Sequence, residues 1–273
     1  MTIFEIRDSS QKVDEGRDRT LGYLFYYDRS KRFYTELLEG ISEWDAPAMF
    51  FGHVKRNEYS IDSEWSMKWV RQRIIPAERQ NIASVLKDNG LKQYDEYRLL
   101  LLSEGRCAQD EQYIVRTDES DLPEEIKQRL KKKVLDVTAL SDRRLVVFFR
   151  NKTARILDMK TLAGESHLFD KVMGNEEIFS RVMVSPGGNG IEWDEDRVVS
   201  ASTIERIGTD TDLRYEDFLF FARNRLFDTA GVSKKLGVSR QYIHQLIQKG
   251  RLSPAWSDKG VFMFAKAGIE SEM

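Results

Sequence analysis

The segment from Leu226 to Trp256, LFDTAGVSKKLGVSRQYIHQLIQKGRLSPAW, constrains the fold more tightly than any other part of the chain. Asp228 or Thr229 can cap a first short helix that carries Val232, Lys234, Lys235 and Leu236. Gly237 ends it, because glycine enters the left-handed region without the steric penalty of a Cβ. Val238 is the apolar residue of the turn. Ser239 then offers a side-chain acceptor to the first amides of a second helix, Arg240 to Lys249. Ile243, Leu246 and Ile247 stand at i, i+3 and i+4 and form one buried stripe. Arg240, Gln241, Tyr242, His244 and Gln245 fall on the remaining faces. The spacing predicts two helices about a tight turn.

Between Thr229 and Leu252 stand five basic residues, Lys234, Lys235, Arg240, Lys249 and Arg251, and no acidic one. The whole chain carries −2, so this enrichment is local. Arg and Gln make bidentate contacts to guanine and adenine in the major groove, and cationic side chains neutralise phosphates. The segment reads as a helix-turn-helix for double-stranded DNA. Arg240, Gln241 and Gln245 are expected on base edges, with Tyr242 and His244 on bases or backbone. Lys234, Lys235, Ser239, Lys249 and Arg251 are expected on phosphates, and Lys259 on the backbone or minor groove. A plain helical hairpin with a solvated basic face satisfies the same spacing.

Beyond Gly250, Ala255–Trp256 and Val261–Phe264 can pair across Ser257-Asp258-Lys259-Gly260. A short turn from Ala265 to Glu270 closes the segment. The whole order resembles the winged helix-turn-helix of excisionase and MerR-type modules. The matching residues are Ala230, Leu236-Gly237-Val238-Ser239-Arg240, Ile243, Leu246-Ile247, Gly250 and Leu252. The resemblance implies DNA binding. One such module buries little surface, so a homodimer on a two-fold operator is expected.

Three sections are read along the chain: 1–125 as an α+β recognition domain, 126–208 as a small α+β domain, and 209–273 as a connecting helix with the DNA-binding segment. The fold class is α+β throughout. In the first section Thr2–Ile6, Leu21–Tyr27 and Arg32–Leu38 read as strands, the last two joined at Asp28-Arg29-Ser30-Lys31. Helices follow at Glu64–Val70, Ala77–Asp88 and Asp95–Leu102, then a strand at Asp110–Val115. A charged helix, Asp121 to Lys133, has its acidic residues first and its Lys131–Lys133 triplet last, as the helix dipole favours. The triplet suits a solvated helix end or a phosphate contact.

In the middle section Val134–Leu140, Leu145–Phe149 and Thr153–Asp158 are β-rich runs separated by turn residues. Glu176–Phe179 starts a helix, and Val182–Val184 and Ile191–Trp193 flank the loop Ser185 to Gly190. The layout resembles a small bacterial α+β domain family of unknown function. The matching positions include Val134, Leu145, Val147, Phe149, Arg155, Asp158, Phe179, Gly190 and Trp193, while Lys152 stands where a glycine is usual. Members of that family are often encoded beside toxin-like proteins, which implies a protein partner encoded nearby. Asp210 to Leu226 reads as a helix with Leu213, Phe218, Phe221 and Leu226 near one face, docking the last segment onto the middle domain.

Little in the sequence points to catalysis, and no enzyme is expected. His53, His167 and His244 are far apart and in no metal-binding spacing, so neither metal nor cofactor is expected. Ser185-Pro-Gly-Gly-Asn-Gly190 lacks the Gly-Lys-Ser/Thr ending of a phosphate loop and reads as a tight turn. The single cysteine, Cys107, excludes an internal disulfide and suits a small core residue. Glu192 and Asp194 suit a solvated turn. The Arg-rich run Trp69 to Ile82 suits nucleic acid or an acidic partner surface, or else a helix start after Pro76 whose arginines pair with nearby Glu or Asp. Around it, Pro76, Arg79, Leu86, Gly90-Leu91, Asp95, Leu99–Leu101, Gly105 and Cys107 resemble the N-terminal domain of HipA-type kinases, without a kinase body. That resemblance implies an antitoxin-like adaptor that grips a toxin or kinase. The absence of a long apolar run and of a leader-like start leads to the expectation of a cytoplasmic protein with no membrane contact.

Overall fold

The computed structural model describes residues 1–13, 16–165, 167–194, 196–211 and 215–270, with backbone alone at 163–165 and 215–218. The fold is α+β, as the patterns predict: short helices and several small antiparallel sheets, divided into two compact units, Met1–Leu130 and Lys131–Met273.

The first unit begins with strands β1 (Thr2–Lys12), β2 (Asp18–Tyr27) and β3 (Arg32–Leu37), followed by α1 (Phe51–Lys55) and β4 (Ser60–Ile61). Helices α2 (Ser63–Arg71), α3 (Ile82–Asp88) and α4 (Glu96–Ser103) precede β5 (Gln112–Thr117), and α5 (Glu124–Lys131) runs to the boundary. The strands form one antiparallel sheet in the order β4-β3-β2-β1-β5. Successive residues of β2 face opposite sides. Leu24 and Tyr26 join Phe4, Phe33, Trp69 and Leu100 on one side, and Tyr23 and Phe25 join Ile3, Leu122 and Ile126 on the other. Helices α2 and α4 cover the first side and α5 the second, so residues 21–26 are buried without a break. Gly22 is required by the close approach of β3: a Cβ there would lie 2.5 Å from the Glu36 carbonyl oxygen.

Helices α2 and α4 stand where apolar spacing places them, each capped by an aspartate. Asp62 accepts from the Trp65 amide and Asp95 from the Arg98 amide, both at 2.9 Å. The helix predicted from Ala77 begins only at Ile82. Arg79 N donates to the Pro76 carbonyl (3.2 Å) and Ile82 N to the Arg79 carbonyl (2.9 Å), so tight turns take the amides an earlier helix start would use.

In the second unit β6 (Val134–Ala139), β7 (Arg144–Phe149) and β8 (Ala154–Asp158) form an antiparallel meander at the predicted positions. Lys152 in its second turn has φ 70°, a conformation that glycine adopts without strain, which accounts for the glycine usual at that place. Helices α6 (Met159–Glu165), α7 (Asp170–Gly174) and α8 (Glu176–Ser180) follow. A second sheet is built from β9 (Met183–Val184), β10 (Gly190–Glu192) and β11 (Val198–Ser200), and α9 (Ala201–Ile207) comes after it. Val147 and Leu157 of the meander pack with Phe169, Phe179, Trp193 and Ile204 in one core. Ser185–Gly190 is a closed turn, with Ser185 N donating to the Gly190 carbonyl at 3.0 Å. Lys131 and Lys132 are exposed, but Lys133 is buried and donates to Asn189 Oδ1 at 2.6 Å, so the lysine triplet is only partly a solvated helix end. Thr209 closes this domain by exchanging backbone hydrogen bonds with Ile156, both at 2.9 Å.

Helix α10 (Tyr215–Arg225) lies on the other face of the meander, where Phe221 meets Phe148 edge-on at 5.3 Å. Of the residues expected on its apolar face, Leu213 and the Phe218 side chain lie outside the described residues. Leu226 does not end the helix. It starts a strand, β12 (Leu226–Asp228), because it pairs with Ala265 far along the chain. The last elements are α11 (Thr229–Leu236), α12 (Arg240–Gln248), β13 (Trp256–Asp258), β14 (Val261–Ala265) and α13 (Lys266–Glu270), with the sheet order β12-β14-β13. No helix among the described residues is long and apolar enough to cross a membrane.

Candidate nucleic-acid interface

Each turn of the last segment is held by a side chain that the sequence supplies locally. Asp228 caps α11, accepting from the Gly231 amide at 2.7 Å. Gly237 ends that helix at φ 67°, in the left-handed region. Ser233 then braces the turn. Its carbonyl accepts from Val238 N at 3.1 Å, and its hydroxyl donates to the Val238 carbonyl. Ser239 caps α12, accepting from Tyr242 N at 3.2 Å. Val232 of α11, Ile243 and Leu246 of α12, Leu252, Phe264 and Ile269 form the core beneath, with Ile247 partly buried at its edge.

The hairpin after α12 is tighter than the pattern predicts. Ser257 and Asp258 pair with Phe262 and Val261, leaving only Lys259 and Gly260 to turn, at φ 44° and 84°. Positive φ at both central residues matches the right-handed twist of the flanking strands. Strand β12 pairs with β14 on its other side, Phe227 opposite Phe264, which ties the start of the segment to its end.

Arg240, Gln241, Tyr242, His244 and Gln245 are all exposed, while Ile243 and Leu246 of the same helix are buried. Lys234, Lys235, Ser239, Lys249, Arg251 and Lys259 are exposed as well. Three of these residues also serve the fold. The His244 ring meets Phe262 of the hairpin edge-on at 5.5 Å. Lys235 Nζ lies 4.8 Å from the centroid of Phe227. The Ser239 oxygen is the cap acceptor of α12, so only its O–H is available to a phosphate. Sequence reasoning missed Trp256, 53% exposed on the hairpin and close in the chain to this basic stretch. An isolated tryptophan between Pro254 and a polar turn was the available signal.

Other residues singled out by sequence are placed elsewhere. Glu192 is buried in β10, because the pairing of β10 with both neighbours puts it inside the domain and not in a solvated turn. Asp194 is exposed and pairs with Arg197. His53 meets Glu58 at 3.0 Å and His167 meets Asp170 at 3.2 Å, each a local contact. Among the described residues no group of three or more His, Cys, Asp or Glu side chains is placed to hold a metal ion. The Arg-rich run is partly internal: Arg73 is buried, stacks on Trp69 at 3.8 Å and pairs with Asp110.

Residues 134–210 match a family described as protein of unknown function (DUF2442). The match starts at the first residue of β6 and ends one residue after Thr209, so it spans the closed meander-and-helix domain and stops before α10. It includes the stretch from Val134 to Trp193 whose pattern resembles a family of unknown function. No curated protein and no solved structure matches the chain. The family match therefore covers the middle segment alone.

Proposed function

We propose that the protein is a sequence-specific DNA-binding regulator whose final segment, α11 to β14, acts as a winged helix-turn-helix of the excisionase and MerR type. One observation carries the reading. Arg240, Gln241 and Gln245 stand exposed on a helix whose other face is buried, within a stretch that holds five basic residues and no carboxylate. Helix α12 would enter the major groove, where Arg and Gln read guanine and adenine. Lys234, Lys249 and Arg251 would neutralise phosphates, and Lys259 at the hairpin tip would reach the backbone or minor groove. A single module of this size supports limited specificity, so a homodimer on a two-fold site is the working form. The experiment is an electrophoretic shift with the DNA upstream of the protein's own gene, together with the mass of the complex. A retarded band at the mass of two chains supports the reading, and no shift with that DNA overturns it.

A second reading is an antitoxin-like adaptor that grips a toxin or a HipA-type kinase and binds DNA to regulate its own synthesis. Trp44 favours it: 81% exposed and set edge-on to Phe51 at 5.4 Å, it offers a rigid aromatic anchor on the first unit. Co-purification with the product of the adjacent gene, lost in Trp44→Ala, separates the two readings.

A further inference from the structure

We propose that the first unit holds a binding site for a small, mainly apolar monoanion, in the cleft beside α2, α3 and α4 that Arg73, Arg79 and Arg106 line. The cleft is open on one side and has a volume of about 480 Å³, within the range of small-molecule sites. Its apolar walls come from Ile74, Ile75, Val85, Leu99 and Leu102, and no carboxylate lines it.

The charge count selects the ligand class. Asp110 pairs with Arg73, and Glu104 lies 3.7 Å from Arg106. Arg79 is exposed and has no ion pair among the described residues, so it is the one of the three guanidinium groups that a ligand can take without displacing a carboxylate. Arg73 supplies a further signal. Its side chain is 1% exposed, its two terminal nitrogens donate to the Trp69 carbonyl, Asp110 and Gln112, and its Nε finds no acceptor among the described residues. An unsatisfied buried donor is unfavourable, and an anion bound beside the guanidinium would offset that electrostatically. Burial also pushes the Arg73 guanidinium below its ordinary pKa, the direction that a nearby anion reverses. A carboxylate head would pair with Arg79 at the mouth of the cleft, on the side of the Arg73 guanidinium, with an apolar body of several carbons along the walls. This site stands independently of the DNA-binding reading.

The test is calorimetric titration of the full-length protein with n-octanoate, with n-octanol and n-octylammonium as probes of equal length. One saturable octanoate site is expected, with both other probes at least about tenfold weaker. Arg79→Ala should weaken octanoate about tenfold. Ala108→Trp, at an exposed position that lines the cleft, should abolish binding by filling it while leaving the circular dichroism spectrum unchanged. Octanol binding as tightly as octanoate, no saturable octanoate binding, or either variant binding octanoate as the wild type does, overturns the proposal.

Discussion

Arg225, the last residue of α10, and Asp136, in β6, form a buried ion pair: 3.4 Å separates Nη1 from Oδ1, and the two side chains are 8% and 10% exposed. Arg225 Nε also donates to Thr138 Oγ1, two residues along the same strand. The pair anchors the helix that leads directly into β12 and α11. Arg225→Met would leave the Asp136 carboxylate buried without its counter-ion, at a cost of about 3 kcal/mol. The double variant Asp136→Leu with Arg225→Met should recover most of that loss, since two apolar residues replace two desolvated charges. Urea denaturation of the three proteins checks this; equal stability of the single and double variants would contradict it.

The same carboxylate makes stability depend on pH in a direction opposite to most. Burial pushes the Asp136 carboxyl above the ordinary aspartate range, with Arg225 only partly opposing it. The folded state then holds a proton where the unfolded chain has released it. That contribution is complete below the unfolded pKa and is lost as pH rises through the folded one. Asp136→Asn is fixed in the neutral form and lacks the effect. The stability of the wild type relative to Asp136→Asn should therefore fall as pH rises from about 3 to about 7. A difference that is flat or rises across that range would count against the assignment.

Two backbone positions predict opposite outcomes. Lys152 sits at φ 70°, where a Cβ costs about 1–2 kcal/mol, so Lys152→Gly should stabilise by roughly 0.5 kcal/mol after the added chain entropy of glycine. Gly237 sits at φ 67° at the end of α11, so Gly237→Ala should destabilise by about 1 kcal/mol. Thermal denaturation should move the two midpoints in opposite directions.

Much of this was legible because the patterns are local. The three strands of the meander follow from β-rich runs separated by polar turn residues, and the caps Asp228 and Ser239 stand directly before their helices. What was not legible depends on distant partners. Lys133 closes a lysine run that looks solvated, yet it is buried because Asn189, 56 residues on, accepts from it. Strand β12 is three residues long and exists only because β14 returns to pair with it. The pairing of Arg73 with a carboxylate was within the sequence reading, but its partners Asp110 and Gln112 lie 37 and 39 residues on and could not be named from spacing. In the final segment the candidate residues could be named from spacing, whereas the Phe262 ring beside His244 and the exposure of Trp256 needed the hairpin.

If Lys234 and Lys249 contact phosphate, each Lys→Ala change should reduce the salt dependence of DNA binding, lowering the slope of log K against log salt by about 0.9. The loss should be the same on promoter and shuffled DNA. Gln245→Ala should instead weaken binding to the promoter alone. Fluorescence anisotropy over a salt series measures both quantities.

The most direct measurement compares wild type with the Arg240→Ala, Gln241→Ala double variant on one labelled promoter duplex and on its shuffled counterpart. Both side chains are exposed, and neither contributes to the core under α12, so the variant should fold. The account predicts that the wild type prefers the promoter, and that the variant loses at least about tenfold in affinity for it while keeping its affinity for shuffled DNA. A double variant that binds the promoter as tightly as the wild type would contradict the account.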